Sequence, residues 1–252
     1  MCCGLFCLLE IFSPPPSTLT MSLPKSSNTP IEKALETLTI SRQHHLQHLK
    51  TLRLSPSGKI VVLNGLPGTG KLTILKRLKE LLPEFTTCLL DNHLLIDPVT
   101  AVIPNRTDRH HELRRLVRAP IFEELSNQAR KGHTILMTAC LAAGLPIDEA
   151  FYQEHLDISR SSDTTIYWIN VECRRDIHEQ RVSTPERQQD SKTKLTDKHL
   201  LRLIMDTHKL IEPDVVSRGD TGLKLAFEKL DVSGSVEDSV GCLLDIMVRS
   251  SM

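Results

Sequence analysis

Lys59-Ile60-Val61-Val62-Leu63-Asn64 followed by Gly65-Leu66-Pro67-Gly68-Thr69-Gly70-Lys71-Leu72-Thr73 is the stretch that decides the fold. The first part is a short apolar run with β-branched residues, bounded by Ser-Gly before and Gly after. It reads as a strand buried on both faces of a parallel sheet. The second part has the spacing of a phosphate-cradling loop, and helical periodicity resumes from Leu72 to Leu82. Glycines let backbone N–H groups turn inward around phosphate oxygens with no Cβ in the way. The helix that follows offers its unpaired N–H groups and positive dipole end to the same anion. Lys71 adds a mobile cation for the β- and γ-phosphates. Strand, loop and helix in this order are the context such a motif requires.

One position departs from the usual pattern. Leu72 stands directly after the lysine, where a magnesium-ligating Ser or Thr is usual, and the hydroxyl comes one residue later, at Thr73. Thr73 is therefore expected on a phosphate, with magnesium reached through water. A dinucleotide fingerprint built on Gly68 and Gly70, with Asp91 on a ribose, is the competing reading. Thr73 in place of a third glycine, and the Gly-Lys pair, count against it.

Working outward, strands are expected at Thr87–Asp91, His133–Cys140, Thr164–Val171 and Leu225–Val232. A helix is expected over Thr107–Lys131, broken at Pro120. The closing helix starts at Ser235, with Asp238 placed three residues on, near a capping box. Strands alternating with helices imply βαβ units. Before the first strand, 1–29 reads as a disordered extension rich in Pro, Ser and Thr after an apolar opening, and 30–55 as a helical extension. Met21 is an alternative start. His44 and His48 lie one turn apart in that helix, with no third ligand nearby, and read as a solvated face.

Composition narrows the partners. Lys+Arg and Asp+Glu both count 31, so the formal net charge is zero, and no global field holds a polyanion. Aromatic residues are 4% of the chain, which leaves few stacking platforms for single strands. A generic nucleic-acid module is disfavoured. The 7 cysteines contain no C-x-x-C pair, as expected of a reduced, cytoplasmic protein. The apolar opening is too short for a bilayer span and lacks the basic residues of a secretory signal.

The loop G-x-P-G-x-G-K-x-T resembles that of the small P-loop kinases: the adenylate kinase-like, gluconate kinase-like, shikimate kinase-like and chloramphenicol phosphotransferase-like proteins. Two further segments are similar to theirs. Val171-Glu172-Cys173 leading to Arg181 and Pro185-Glu186-Arg187 looks like a strand-helix-lid segment, and Asp231-Val232-Ser233-Gly234 looks like the strand end that lines the adenine pocket. The resemblance implies a three-layer α/β P-loop NTPase fold over 56–252, with helices on both sides of a parallel sheet. An acceptor-binding insert is implied at about 98–131 and a lid at about 174–196. It further implies ATP or GTP with Mg2+, and transfer of a phosphoryl group to a small hydroxylated acceptor. Lys71, Asp91, Arg181 and Arg187 would be catalytic, Asp91 as base and acceptor anchor at the end of the second strand. Ser233 and Gly234 would join Gly65–Thr73 in holding the nucleotide, and Asp91, His93, Arg114 and Arg118 would bind the acceptor. Asp97 reads as a turn residue before Pro98.

No Asp ends the third strand, where a Walker B carboxylate would sit, and Thr138 is the candidate to hold a magnesium-bound water instead. That gap and Leu72 keep a regulatory or degenerate nucleotide-binding protein in view. A polynucleotide 5'-end kinase is a third reading, raised by the arginine-rich insert and weakened by zero net charge. A monomer or homodimer is expected.

Overall fold

A computed structural model describes residues 58–184, 195–214 and 220–249, with Gln43 and Gln47 in isolation. All of these fall in one compact unit, 41–252. The N-terminal extensions (apart from those two glutamines), the His44/His48 pair, Pro185, Glu186 and Arg187 lie outside the described residues.

Strands β1 (Lys59–Asn64), β2 (Thr87–Leu90), β3 (Thr134–Ala139), β4 (Ile166–Glu172) and β5 (Leu225–Asp231) form one sheet in the order β2-β3-β1-β4-β5. Every pairing is parallel. The helices are α1 (Lys71–Leu81), α2 (His93–Val102), α3 (Asp108–Arg130), α4 (Pro146–Ser162), α5 (Arg175–Val182), α6 (Lys198–Thr207) and α7 (Val236–Arg249).

The central strand shows why its sequence is apolar throughout. Val61 and Leu63 pack with Ile74, Leu75 and Leu78 of α1 and with Val240, Leu243 and Met247 of α7. Ile60 and Val62 point the other way, onto Phe122 and Leu125 of α3 and Phe151 and Leu156 of α4. All four β1 side chains are fully buried, so alternation along β1 distributes apolar residues to two cores rather than to core and solvent. This is the expected fold: a parallel sheet with helices on both faces.

Two expectations about helices are corrected. Asp108–Arg130 is one helix with Pro120 inside it, not two pieces. Proline removes one helical hydrogen bond and crowds the carbonyl a turn earlier. Pro120 and Leu116 both lie on the exposed face, where water can take up the freed carbonyl, while Arg114, Arg118, Phe122 and Leu125 hold the other face in the core. Asp97 is likewise not a turn residue. It lies within α2, whose Leu95 and Val99 are buried one turn apart while Pro98 faces out.

The closing helix is capped as the sequence implied. Ser235 Oγ accepts from Asp238 N at 3.1 Å, and Asp238 Oδ2 accepts from Ser235 N at 3.3 Å. Among the described residues no helix is long and apolar enough to cross a membrane.

Candidate functional site

The carboxyl ends of the strands carry the site, as expected for an open parallel sheet. At the end of β1, Asn64 is fully buried and opposite both Ala139 of β3 and Asn170 of β4. Its Oδ1 accepts from Leu141 N at 2.8 Å, and its Nδ2 donates to Leu141 O at 3.2 Å and to Asn170 Oδ1 at 3.0 Å. Asn170 in turn donates to Ile211 O at 3.0 Å. This amide pair fixes three chain exits around the base of the loop. Nothing in the spacing of the sequence singled it out.

Gly65–Thr73 follows as a loop opening α1. Gly68 and Gly70 have φ of 94° and 92°, which other residues rarely adopt. Space also constrains Gly68, because a Cβ there would lie 2.3 Å from Val182 Cγ2 of α5. Thr69 is buried and donates to Leu66 O at 3.0 Å. Lys71 Nζ folds back over the loop, donating to Gly65 O at 2.6 Å, to Leu66 O at 2.9 Å and to Thr69 Oγ1 at 3.3 Å. Glycine conformations with an ammonium held at the centre make a cradle that fits polyphosphate. Leu72 is half-buried, and Thr73 is exposed on the first turn of α1.

From the α5 side, two residues clasp the loop. His178 is buried, with Nε2 2.8 Å from Pro67 O. Arg181 donates to Thr69 O at 3.3 Å, Val232 O at 2.7 Å and Gly234 O at 3.0 Å. Its fork ties the phosphate loop to the segment after β5. Ser233 and Gly234 are brought to the same place, with Ser233 Oγ accepting from Arg174 N at 2.8 Å.

Asp91, just past β2, is buried. The register sets Leu90 opposite Met137, so Asp91 meets Thr138 on β3. Thr138 Oγ1 donates to Asp91 Oδ1 at 3.0 Å and accepts from Asn92 N at 2.9 Å. The Thr138 hydroxyl hydrogen is thus committed to the carboxylate. His93 turns toward Asp97, with Nδ1 3.4 Å from Oδ1, rather than toward Asp91.

Arg114 and Arg118 are buried on α3 rather than solvated. Arg118 is engaged by Glu154 of α4 through two bonds of 2.8 Å and stacks 3.8 Å from the centre of the Phe151 ring. Its fork is filled by Glu154. Among the described residues Arg114 has no such carboxylate. Burial, then the like charges of Arg118 and Arg106, lower it to about 10. Asp148, near the start of α4, accepts from Ala142 N at 2.9 Å, and burial raises its carboxyl pKa. Cys140 is exposed and has Lys71, Asp148 and Arg106 as charged neighbours. Asp148 and Cys140 carried no motif by which the sequence could have marked them.

A cleft of about 510 Å³ borders the loop at Leu66 and Thr69 and runs past Glu172 and His178 to His208 and Lys209. A second groove of about 480 Å³, between α3 and α4, includes no phosphate-loop residue. Among the described residues no group of three His, Cys, Asp or Glu could hold a metal ion.

Comparison with known proteins agrees with this geometry. The profile of the AAA domain matches residues 61–200. No curated protein matches the chain. Among solved structures, a candidate kinase from Chloroflexus aurantiacus aligns with a TM-score of 0.54 at 11% identity, over 79% of this chain and 100% of that one, which shows a shared fold. A shikimate kinase from Acinetobacter baumannii in complex with shikimate gives 0.48 at 14% identity over 81% and 99% of the two chains. A sugar kinase from Janibacter gives 0.47 at 16% over 77% and 95%.

Proposed function

The chain belongs to the AAA domain family and has the P-loop kinase-like fold, and from that premise we propose that it transfers the γ-phosphoryl group of ATP or GTP to a hydroxyl of a small acceptor. The observation that carries the reading is the pairing of two elements at the carboxyl ends of β1 and β2, on either side of β3. One is a loop cradle with Lys71 at its centre, and the other is the buried Asp91 carboxylate aimed by Thr138.

In this reading the backbone N–H groups of 65–71 and the first turn of α1 receive the β- and γ-phosphates, and Lys71 trades its loop acceptors for phosphate oxygens. Thr73 contacts a phosphate from the first turn. The loop after β5, at Ser233 and Gly234, lies beside the base. Asp91 takes the proton of the acceptor hydroxyl as its oxygen attacks phosphorus and ADP departs. Arg181 positions the loop, and Arg187 would supply a further cation from the lid. A divalent cation fits as the companion of the nucleotide phosphates, reached by Thr73 through water, and would neutralise charge on the transferring group.

Leu72 in place of a hydroxyl residue, with no carboxylate ending β3, favours a second reading: a nucleotide-binding regulatory protein with little turnover. A polynucleotide end as acceptor is less favoured, since Arg118 is consumed by Glu154 and Arg109 pairs with Glu112 at 2.8 Å. The test is ADP release coupled to a screen of nucleosides, nucleotides, sugars, hydroxy acids and short oligonucleotides. Acceptor-dependent release that Asp91→Asn abolishes supports transfer. ATP binding with no acceptor-dependent release supports the regulatory reading instead.

A further inference from the structure

Two carbonyls of the phosphate loop are held from α5. His178 is 2% exposed, and its Nε2 lies 2.8 Å from Pro67 O. That oxygen only accepts, so Nε2 carries the hydrogen and donates it. One turn on, Arg181 donates to Thr69 O at 3.3 Å. Two earlier carbonyls are taken by the lysine instead. Gly65 O and Leu66 O accept from Lys71 Nζ at 2.6 and 2.9 Å, and Leu66 O also accepts from Thr69 Oγ1 at 3.0 Å.

A trans peptide unit is planar, so its C=O and N–H point in opposite directions. With Pro67 O held on α5, Gly68 N–H is turned away from α5. With Thr69 O held there, Gly70 N–H is turned away likewise. The φ values of 94° and 92° at these two glycines belong to this arrangement. Leu66 can give its oxygen to the lysine without sending a donor the other way, since Pro67 has no N–H.

α5 also presses on the loop at the same point. A Cβ on Gly68 would lie 2.3 Å from Val182 Cγ2 and 3.4 Å from the His178 ring. Flipping the Pro67–Gly68 peptide would set its N–H against the N–H of His178, two donors with no acceptor between them. α5 is itself braced, because Glu179 accepts from Arg202 of α6 at 2.6 and 2.8 Å.

The geometry points to His178 as a positioning residue: its bond to Pro67 O, seconded by Arg181 on Thr69 O, presets Gly68 N–H and Gly70 N–H as donors to a phosphate chain. The histidine acts through one carbonyl and does not touch the ligand. This deepens the proposed function and rests only on its phosphate-loop part. The ligand class so favoured is a polyphosphate, whose linked oxygens meet both N–H groups and Lys71 together. Donors aimed beforehand need no reorganisation when that ligand arrives.

The test titrates tripolyphosphate, which carries no base or sugar, into full-length wild type, His178→Met and His178→Gln by calorimetry. Methionine removes the donor, and glutamine places an amide N–H near the position of Nε2. Affinity should fall roughly tenfold in the methionine variant and return most of the way in the glutamine variant. In proton–nitrogen correlation spectra the Gly68 amide resonance should move on adding tripolyphosphate to wild type and to the glutamine variant, and move far less in the methionine variant. A residue that only supported the fold would not single out that amide. Circular dichroism checks each fold. If the methionine variant does not fold, His178→Asn takes its place, because its shorter amide stays polar but stops short of Pro67 O.

Unchanged affinity in the donor-less variant, a glutamine variant no better than methionine, or a Gly68 amide indifferent to tripolyphosphate in wild type overturns the proposal. Acceptor-dependent ADP release missing from wild type, with the His178 dependence of tripolyphosphate binding intact, rejects the phosphotransferase reading and leaves the positioning role standing. Release present in wild type with no His178 dependence of binding rejects the positioning role and leaves the phosphotransferase reading standing.

Discussion

Thr138 donates its hydroxyl hydrogen to Asp91 across 3.0 Å, joining the ends of the neighbouring strands β3 and β2. The same oxygen accepts from Asn92 N, so one hydroxyl fixes both the carboxylate and the turn that carries it. Thr138→Val keeps the shape of the side chain and removes both bonds. We expect phosphoryl transfer to fall about tenfold or more with ATP affinity nearly unchanged, since a misaligned base affects the transfer step. Asp91→Asn should cost roughly 10²-fold or more by the same measure. Normal transfer in both variants would return the pair to a purely structural role.

Lys71→Ala should weaken triphosphate binding or abolish turnover while leaving the circular dichroism spectrum intact. The ammonium bonds to acceptors of its own loop, so its loss is expected to be a local change. Calorimetry with ATP and ADP separates the two effects. Unchanged affinity together with unchanged turnover would sink the phosphate-loop assignment.

Arg181→Ala removes a fork that links Thr69 O to Val232 O and Gly234 O. Both nucleotide affinity and stability should fall, the latter by about 1–3 kcal/mol for charge-assisted bonds to carbonyls. Arg181→Lys should restore little, because one ammonium does not span the carbonyls of two loops. An effect on transfer rate alone, with unaltered melting and ATP affinity, would favour the lid role first expected of this residue.

His155 gives a pH prediction away from the site. It is 1% exposed among Phe122, Phe151 and Trp168, and burial lowers its pKa to about 4 from the ordinary 6.5. Its Nδ1 is 2.8 Å from Phe151 O. Between those two pH values the unfolded chain binds a proton that the native state refuses. Stability is thus fully present above pH 6.5 and declines as pH falls toward 4. The loss is on the order of 3 kcal/mol. Urea melts of wild type and His155→Gln between those limits check it: the variant's slope should be flatter, and parallel slopes would exclude His155 as the source.

The phosphate-loop half of this site was legible because its information is local. β-branched residues, a glycine series with lysine and a change of period lie within one continuous stretch, and the structure reproduces their order. The α3 side was not. Arg114 and Arg118 look alike on a helical wheel, and what separates them is Glu154, 36 positions away from Arg118 on a helix the sequence reading did not identify. Pro120 misled for a related reason. Its local penalty was read correctly, but buried neighbours on both sides keep α3 continuous. Asn64 and Asn170 gave no signal because only strand register brings them together.

The way Lys71 rests has a consequence for which ligands the loop admits. Its ammonium already holds Gly65 O, Leu66 O and Thr69 Oγ1, so filling the loop is a ligand exchange rather than an addition. An incoming group must outcompete protein oxygens at 2.6 to 3.3 Å, and a single weakly charged oxygen offers little advantage over them. Closely spaced phosphoryl groups do, because several anionic oxygens arrive together. In the proposed phosphotransferase the resting lysine would act as a threshold filter, screening out sparse anions before any base or sugar is read.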